Sequence, residues 1–407
     1  MACDTPESDA RARKEVKIMY SARHNLVDVT IVIRFMIGLL FFFGSNVMSS
    51  VDGEYGNYAV VETASSVRVE ELINKAVSQR VIFVGESHSS VEDHMLQYKV
   101  LQAMVSSKRS FSIGVEWFQQ PFQPALDDYI AGNIDENELL RRTEYYKRWS
   151  FDYRLYRPIM RFARKHGIRV LALNASRELT DTIMKSGIEA LPDKFREQLP
   201  SSYDFEESEY TRLLNTMFGK PDEDAHPLGG GFQRFLEVQL TWDETMAERA
   251  ARFLDKHKDS SLLIFAGRGH THLGAIPARV TRRTGIKGIS LLNFQANTPF
   301  NSADYLILAE EQQLPPQAII GVMIQEQDDG VYVSGFSKDS HAASAGIQAN
   351  DRILAIDDNV VKTLVDLKLS LIDMLPGDEV SLLLLRQQDA GERSLKVTLK
   401  LTARDAY

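Results

Sequence analysis

The chain has 407 residues, 44% hydrophobic and 25% charged, with a formal net charge of −9 and one cysteine, Cys3. This is the composition of a globular protein of two or three domains, and it excludes a disordered chain or a nucleic-acid binder built on a basic stripe. A lone cysteine in a polar N-terminal stretch also excludes a disulfide framework, a Cys-rich zinc site and a buried cysteine nucleophile.

Residues 1–50 read as an N-terminal extension. Its apolar run, Phe35 to Phe43, follows Arg34 and precedes Ser45, Ser49 and Ser50, the pattern of a secretory signal. The run lies far from Met1, which favours two readings over a buried helix: a cleaved signal, with an internal start such as Met19, or a retained membrane anchor. A full span from Leu26 would place Asp28 and Arg34 in lipid, at about 3 kcal/mol each near the bilayer centre. Both readings predict export, to the periplasm or to a membrane facing it.

Residues 51–308 carry the pattern of an α/β domain, a mainly parallel sheet flanked by helices. A connecting stretch leads to a helix over Val67–Ser78 and a strand over Val81–Val84. Gly85-Glu86-Ser87-His88 follows, then a helix opened by a capping box in Ser89-Ser90-Val91-Glu92-Asp93. On that helix Val91, His94, Met95, Tyr98, Leu101, Gln102 and Val105 share one face, so His94 is expected inward and Glu92 and Lys99 outward. A strand over Phe111–Val115 ends in Glu116, and Gln119-Gln120-Pro121 breaks the chain before a helical region reaching Ser150. A helix then runs to His166, Gly167 caps it, and Ile168–Leu173 is a strand ending at Asn174. Residues 176–235 read as mostly helical with a loop at Gly229-Gly230-Gly231, ahead of a long helix over Phe232–His257. The strand Leu262–Ala266 leads into Gly267-Arg268-Gly269-His270, a helix starts at Pro277, and Tyr305–Ala309 is the last strand.

Residues 309–316 form a polar, proline-ended linker, and 317–402 a small β-rich domain. Its strands are expected over Ile319–Gln325, Val331–Phe336, Arg352–Ile356 and Val380–Leu385. One helix, Leu364–Met374, has Thr363 as N-cap.

In an open α/β sheet, ligands collect beyond the carboxyl ends of the strands. Both Gly-x-x-His motifs follow buried apolar runs, so His88 and His270 are expected at one pocket with Glu86 and Glu116. Glu86, His88, Glu116 and His270 would suit a divalent ion such as Zn, Mn or Fe, activating water for hydrolysis with one carboxylate as general base. No His-Glu-x-x-His helix or Gly-x-Ser-x-Gly elbow accompanies them. Asp243, Glu244 and Met246 read either as a polar helix face with one core residue or as supports of that pocket.

Residues 66–308 resemble the ChaN family of haem-binding uptake proteins, within the Tiki-type superfamily. The resemblance rests on Gly85–His88 with His94 and Gln97, Gly114–Gln119, Trp149–Tyr153 with Tyr156, Ala172–Ala175, Trp242–Ala247 and Ala266–His270. It implies a haem site, which needs an apolar slot and an axial His or Tyr. The candidates are His88, His94, Tyr153, Tyr156, His270 and His272, with Arg154, Arg157 or Arg268 for the propionates. Tyr153 and Tyr156, three residues apart on a helix, are equally suited to core packing. Two departures stand out: Asp93-His94 replaces the two adjacent histidines frequent in the family, and no cysteine follows the apolar run to carry a lipid.

The last domain resembles a bacterial PDZ domain through Ala342 to Asp357, with Asn350 where glycine is usual. The resemblance implies that Ile320-Gly321-Val322 is the carboxylate-binding loop and that Leu364 and Leu367 line a side-chain pocket for a C-terminal peptide or protein partner. Together the two resemblances imply an exported haem- or iron-binding protein of uptake. A Tiki-type metal-dependent hydrolase and a non-catalytic PDZ-targeted scaffold are the alternatives, and a homodimer is left open.

Overall fold

The computed structural model describes residues 68–206, 208–218, 231–296, 298–337, 340–389 and 391–404. The expected export segment and Gly229-Gly230 lie outside the described residues. Among the described residues, no helix is long and apolar enough to cross a membrane.

The first part begins with α1 (Val69–Val77), β1 (Val81–Glu86), α2 (Val91–Ser106) and β2 (Phe111–Gln119). Four helices follow: α3 (Gln123–Ala131), α4 (Glu136–Arg142), α5 (Tyr145–Arg148) and α6 (Tyr153–Lys165). Then come β3 (Val170–Asn174), α7 (Arg177–Ser186), α8 (Asp193–Arg196), α9 (Glu209–Phe218) and α10 (Gly231–Lys256). The part closes with β4 (Ser261–Gly267), α11 (Ile276–Thr284), β5 (Ile289–Asn293) and β6 (Tyr305–Ile307). The strands form one parallel sheet in the order β3-β2-β4-β1-β5-β6. Both faces are covered, so the central strands are apolar throughout rather than alternating. Ile82, Val84, Leu263 and Phe265 pack into the core shared with α1, α2, α3 and α6. Val81, Phe83, Leu262 and Ile264 pack on the other side, with α10 and α11.

Several elements differ from the sequence expectation. β1 extends beyond the apolar run because Gly85 and Glu86 still pair with Ala266 and Gly267 of β4. Glu116 lies inside β2 rather than at its end. β5 was not expected: Ser290 and Asn293 interrupt its apolar pattern, yet it pairs directly with β1. The described part of 176–235 alternates short helices with loops. On α2, Ser90 is the N-cap and accepts from the Asp93 amide at 3.2 Å. The Asp93 carboxylate instead takes the Ser87 amide at 2.6 Å, so no reciprocal box closes. Met95 and Gln102 face solvent, while Leu96, Gln97, Val100 and Met104 are buried with His94 and Leu101. A polar residue, Gln97, turns inward because a buried carboxylate awaits it, and hydropathy alone places it outside.

The second part contains β7 (Ala318–Ile319), β8 (Val322–Gln327), β9 (Gly330–Phe336), β10 (Arg352–Ile356) and β11 (Asn359–Val360). It ends with α12 (Leu364–Leu371), β12 (Glu379–Gln388), β13 (Gly391–Lys400) and β14 (Thr402–Ala403). The main antiparallel path runs β13-β12-β10-β9-β8. β13 was not expected, since charges on its solvent face mask the inward alternation of Leu395, Val397 and Leu399. Thr363 forms a full capping box with Asp366 at the start of α12. Asn350 sits at φ 69°, a left-handed conformation that glycine favours and asparagine tolerates better than most residues.

α12 is apolar on two sides. Leu367 and Leu371 enter the core of the second part, whereas Leu369 and Ile372 join the core of the first. Arg157 pairs with Asp373 at 3.0 Å, and Arg141 with Asp366 at 3.2 Å, across the same junction.

Candidate ligand site

Because β1 and β4 are sheet neighbours in register, with Glu86 opposite Gly267, the two Gly-x-x-His motifs emerge side by side. The first glycine of each permits this closeness. A Cβ on Gly85 would meet Leu292 Cδ1 at 2.6 Å, and one on Gly267 would meet His88 Cε1 at 2.8 Å.

Glu86 is buried at the centre of one cluster. Its Oε1 accepts from Tyr156 OH at 3.0 Å and faces His88 Nδ1 at 2.9 Å. Its Oε2 accepts from Gln97 Nε2 at 2.7 Å. His94 Nε2 lies 3.3 Å from Oε2 without hydrogen-bond geometry, and His94 Nδ1 is 2.7 Å from the Ser90 carbonyl. Burial alone would raise the Glu86 pKa, but His94, His88 and Gln97 together hold it below the usual carboxylate range. Burial would lower the His88 pKa, and the Glu86 hydrogen bond and Glu116 charge raise it instead.

A second cluster surrounds His270. Its Nδ1 lies 2.7 Å from Asp243 Oδ1, and its Nε2 is 3.4 Å from Glu116 Oε1. Glu116 Oε2 accepts from the Gly267 amide at 2.6 Å, and Asp243 Oδ2 from Tyr210 OH at 2.7 Å. Burial opposes the charged ring, yet Glu116 and Asp243 outweigh it and raise the His270 pKa to about 9. His270 is therefore an imidazolium at neutral pH. The sequence left Asp243 open between two roles, and the structure makes it the anchor of this ring. Glu244 instead holds Arg279, Arg282 and Arg283, and Met246 is core. Acid and base thus alternate along Glu86, His88, Glu116, His270 and Asp243.

The structure separates the expected haem-site residues by access. The His88 side chain is 27% exposed. His94, His270, His272, Tyr153 and Tyr156 are all buried. Tyr153 packs edge-on against Tyr145, its hydroxyl has no hydrogen-bond partner among the described residues, and burial keeps it a phenol well above the ordinary pKa. Tyr156 is likewise held protonated by burial and by Glu86. His272 accepts from the Gly274 amide and stacks on Tyr210. Arg154 and Arg157 are committed elsewhere, to Asp152 and Pro315 and to Glu136 and Asp373. Arg268 stays beside the motif, donating to Thr298 Oγ1 at 2.7 Å and the Asn293 carbonyl at 3.1 Å. Asp93, standing where a histidine is frequent, secures the Ser87 amide and Asn293.

His88 alone among these histidines presents an accessible ring, with Nδ1 held by Glu86 and Nε2 free of hydrogen bonds among the described residues. Trp149 and Phe151 flank the ring, at centroid distances of 4.8 and 4.6 Å. An imidazole nitrogen beside an aromatic wall suits one axial ligand of a flat, apolar group such as haem. The expected metal set does not assemble: among the described residues, no three His, Cys, Asp or Glu side chains converge to hold an ion. Its four members instead face one another in acid–base pairs, His88 with Glu86 and His270 with Glu116.

Residues 72–280, just over half of the chain, match the family described as haem-binding uptake, Tiki superfamily, ChaN, and residues 318–401 match the PDZ domain. No curated protein matches the chain. Among solved structures, ChaN of Campylobacter jejuni, described with cofacial haem binding, is 19% identical, with 59% of this chain and 91% of that chain covered and a TM-score of 0.47. The PDZ domain of a carboxy-terminal protease from Vibrio cholerae, in complex with peptide, is 25% identical over 22% of this chain and 98% of that one, with a TM-score of 0.20. A serine endoprotease from Yersinia pestis is 26% identical over 22% of this chain and 30% of its own, with a TM-score of 0.19. The chain therefore belongs to the ChaN family of haem-binding uptake proteins in the Tiki superfamily, and carries a PDZ domain after it.

Proposed function

We propose that this protein binds haem at the carboxyl ends of β1 and β4, with His88 Nε2 as axial ligand, and serves in haem or iron uptake. The carrying observation is the accessible His88 ring, tied at Nδ1 to a buried anionic Glu86 and flanked by Trp149 and Phe151. Haem would supply an iron centre with an axial position for an imidazole. Glu86 fixes the tautomer of His88 and makes Nε2 more basic, as a carboxylate behind a ligating histidine does. Arg268, partly exposed beside the first motif, offers a cation to a propionate. The apolar run at Phe35–Phe43 supports export, and a reporter fused after residue 50 tests it.

Titration of the full chain with haemin decides the reading. The expected result is a shifted Soret band that saturates near stoichiometry, is lost in His88→Ala and survives in Tyr153→Phe. An unchanged spectrum, or full binding by His88→Ala, would overturn it.

A further inference from the structure

We infer that the peptide groove of the PDZ domain is built by both parts of the chain, and that its occupant and the ligand at His88 strengthen each other's binding. The linkage half of this inference rests on the haem reading above. The two-part groove does not.

A cavity of about 300 Å³ runs between β8 and α12. Val322, Ile324 and Leu367 line it on the PDZ side, and Tyr146, Phe151 and Arg154 of the first part close the other side. β8 is the end strand of its sheet path, so its outer edge can take an extended peptide through main-chain hydrogen bonds. The first part is firmly seated against this groove. Arg154 donates to the Pro315 carbonyl at 2.8 Å, and Leu369 and Ile372 are buried in the core of the sheet.

The charges select the occupant. Asp152, the carboxylate at this cavity, is already held by Arg154 at 2.7 Å. The Lys368 ammonium lies over the Tyr146 ring, 4.9 Å from its centroid, and pairs with no carboxylate among the described residues. The groove is thus apolar with a cationic rim, which fits an extended peptide ending in a free carboxylate.

The wall of the groove is also the wall of the haem site. Phe151 lines the cavity, and its ring packs 4.6 Å from that of His88. A tight turn, with the Phe151 amide on the Trp149 carbonyl at 2.5 Å, places both aromatic rings on His88. A peptide pressed between β8 and Phe151 holds this turn in the arrangement that packs against His88. A ligand at His88 then has less freedom to remove, and by reciprocity it favours the peptide by the same factor.

The test uses the full chain and an array of decapeptides with free carboxyl termini, the tightest of which is labelled for fluorescence anisotropy. Saturating haemin should tighten this peptide about 5-fold or more, and saturating peptide should tighten haemin by the same factor. Without haemin, Phe151→Ala should weaken the peptide at least 5-fold. Arg154→Gln, which leaves the rings on His88 in place, should weaken the peptide and leave haemin alone unchanged. The inference is overturned if no free-carboxylate peptide binds, if Phe151→Ala and Arg154→Gln both bind peptide as the parent does, or if the two affinities are independent. If haemin does not bind at all, the haem reading and the linkage fall together, and the Phe151→Ala measurement without haemin still decides the two-part groove.

Discussion

Replacing His270 by glutamine removes a buried charge whose contribution depends on pH in a defined direction. The ring sits between Glu116 and Asp243 and has a pKa of about 9, against about 6.5 for an ordinary histidine. A raised folded-state pKa stabilises the fold fully below pH 6.5, and that contribution is lost as pH rises through 9. The separation of about 2.5 units corresponds to roughly 3 kcal/mol. The stability of the parent minus that of His270→Gln should therefore be largest at pH 6 and fall by about 3 kcal/mol by pH 9.5. Urea unfolding at a series of pH values, followed by circular dichroism, measures both proteins, and the difference cancels titrations elsewhere in the molecule. A difference that stays flat from pH 6 to 9.5, or grows with pH, would refute the charged His270 and the alternating row built on it.

Glu86→Gln keeps the shape but removes the anion behind His88, and should weaken haemin by 10-fold or more in a Soret titration. Gly267→Ala places a methyl 2.8 Å from His88 Cε1. It should displace that ring, reduce haemin affinity in the same assay and cost about 1–3 kcal/mol in urea unfolding. Asn350, at φ 69°, should accept glycine without loss, whereas Asn350→Ala should lower stability by about 1 kcal/mol in thermal unfolding.

Much of this arrangement was legible because buried parallel strands announce themselves as continuous apolar runs. Val81–Val84 and Leu262–Phe265 are such runs, and a site residue directly after each must lie near the same end of the sheet. That β1 and β4 are immediate neighbours in register was not legible, since strand order follows from crossovers and not from local pattern. Access was also hidden. His88 and His270 follow strands in the same way, yet one reaches solvent and the other is enclosed by Asp243, Gln239 and Glu116, contributed by distant elements. Gln97 was quoted as part of a motif, but only a contact across eleven positions explains why an amide turns into an apolar core. Trp149 and Phe151 carried the same limitation: they were quoted as part of a motif, and only the turn between them shows that they pack on His88.

α12 and its C-cap give Leu367 and Leu371 to one core and Leu369 and Ile372 to another. A chain cut at the linker would leave both pieces with raw apolar surface, the first missing a plug and the second displaying one. The two parts should consequently melt together, in one calorimetric transition, and each fragment made alone should aggregate or self-associate. For anyone engineering this protein, the linker is a poor place to cut. The peptide module is less a detachable accessory than a buttress of the sheet.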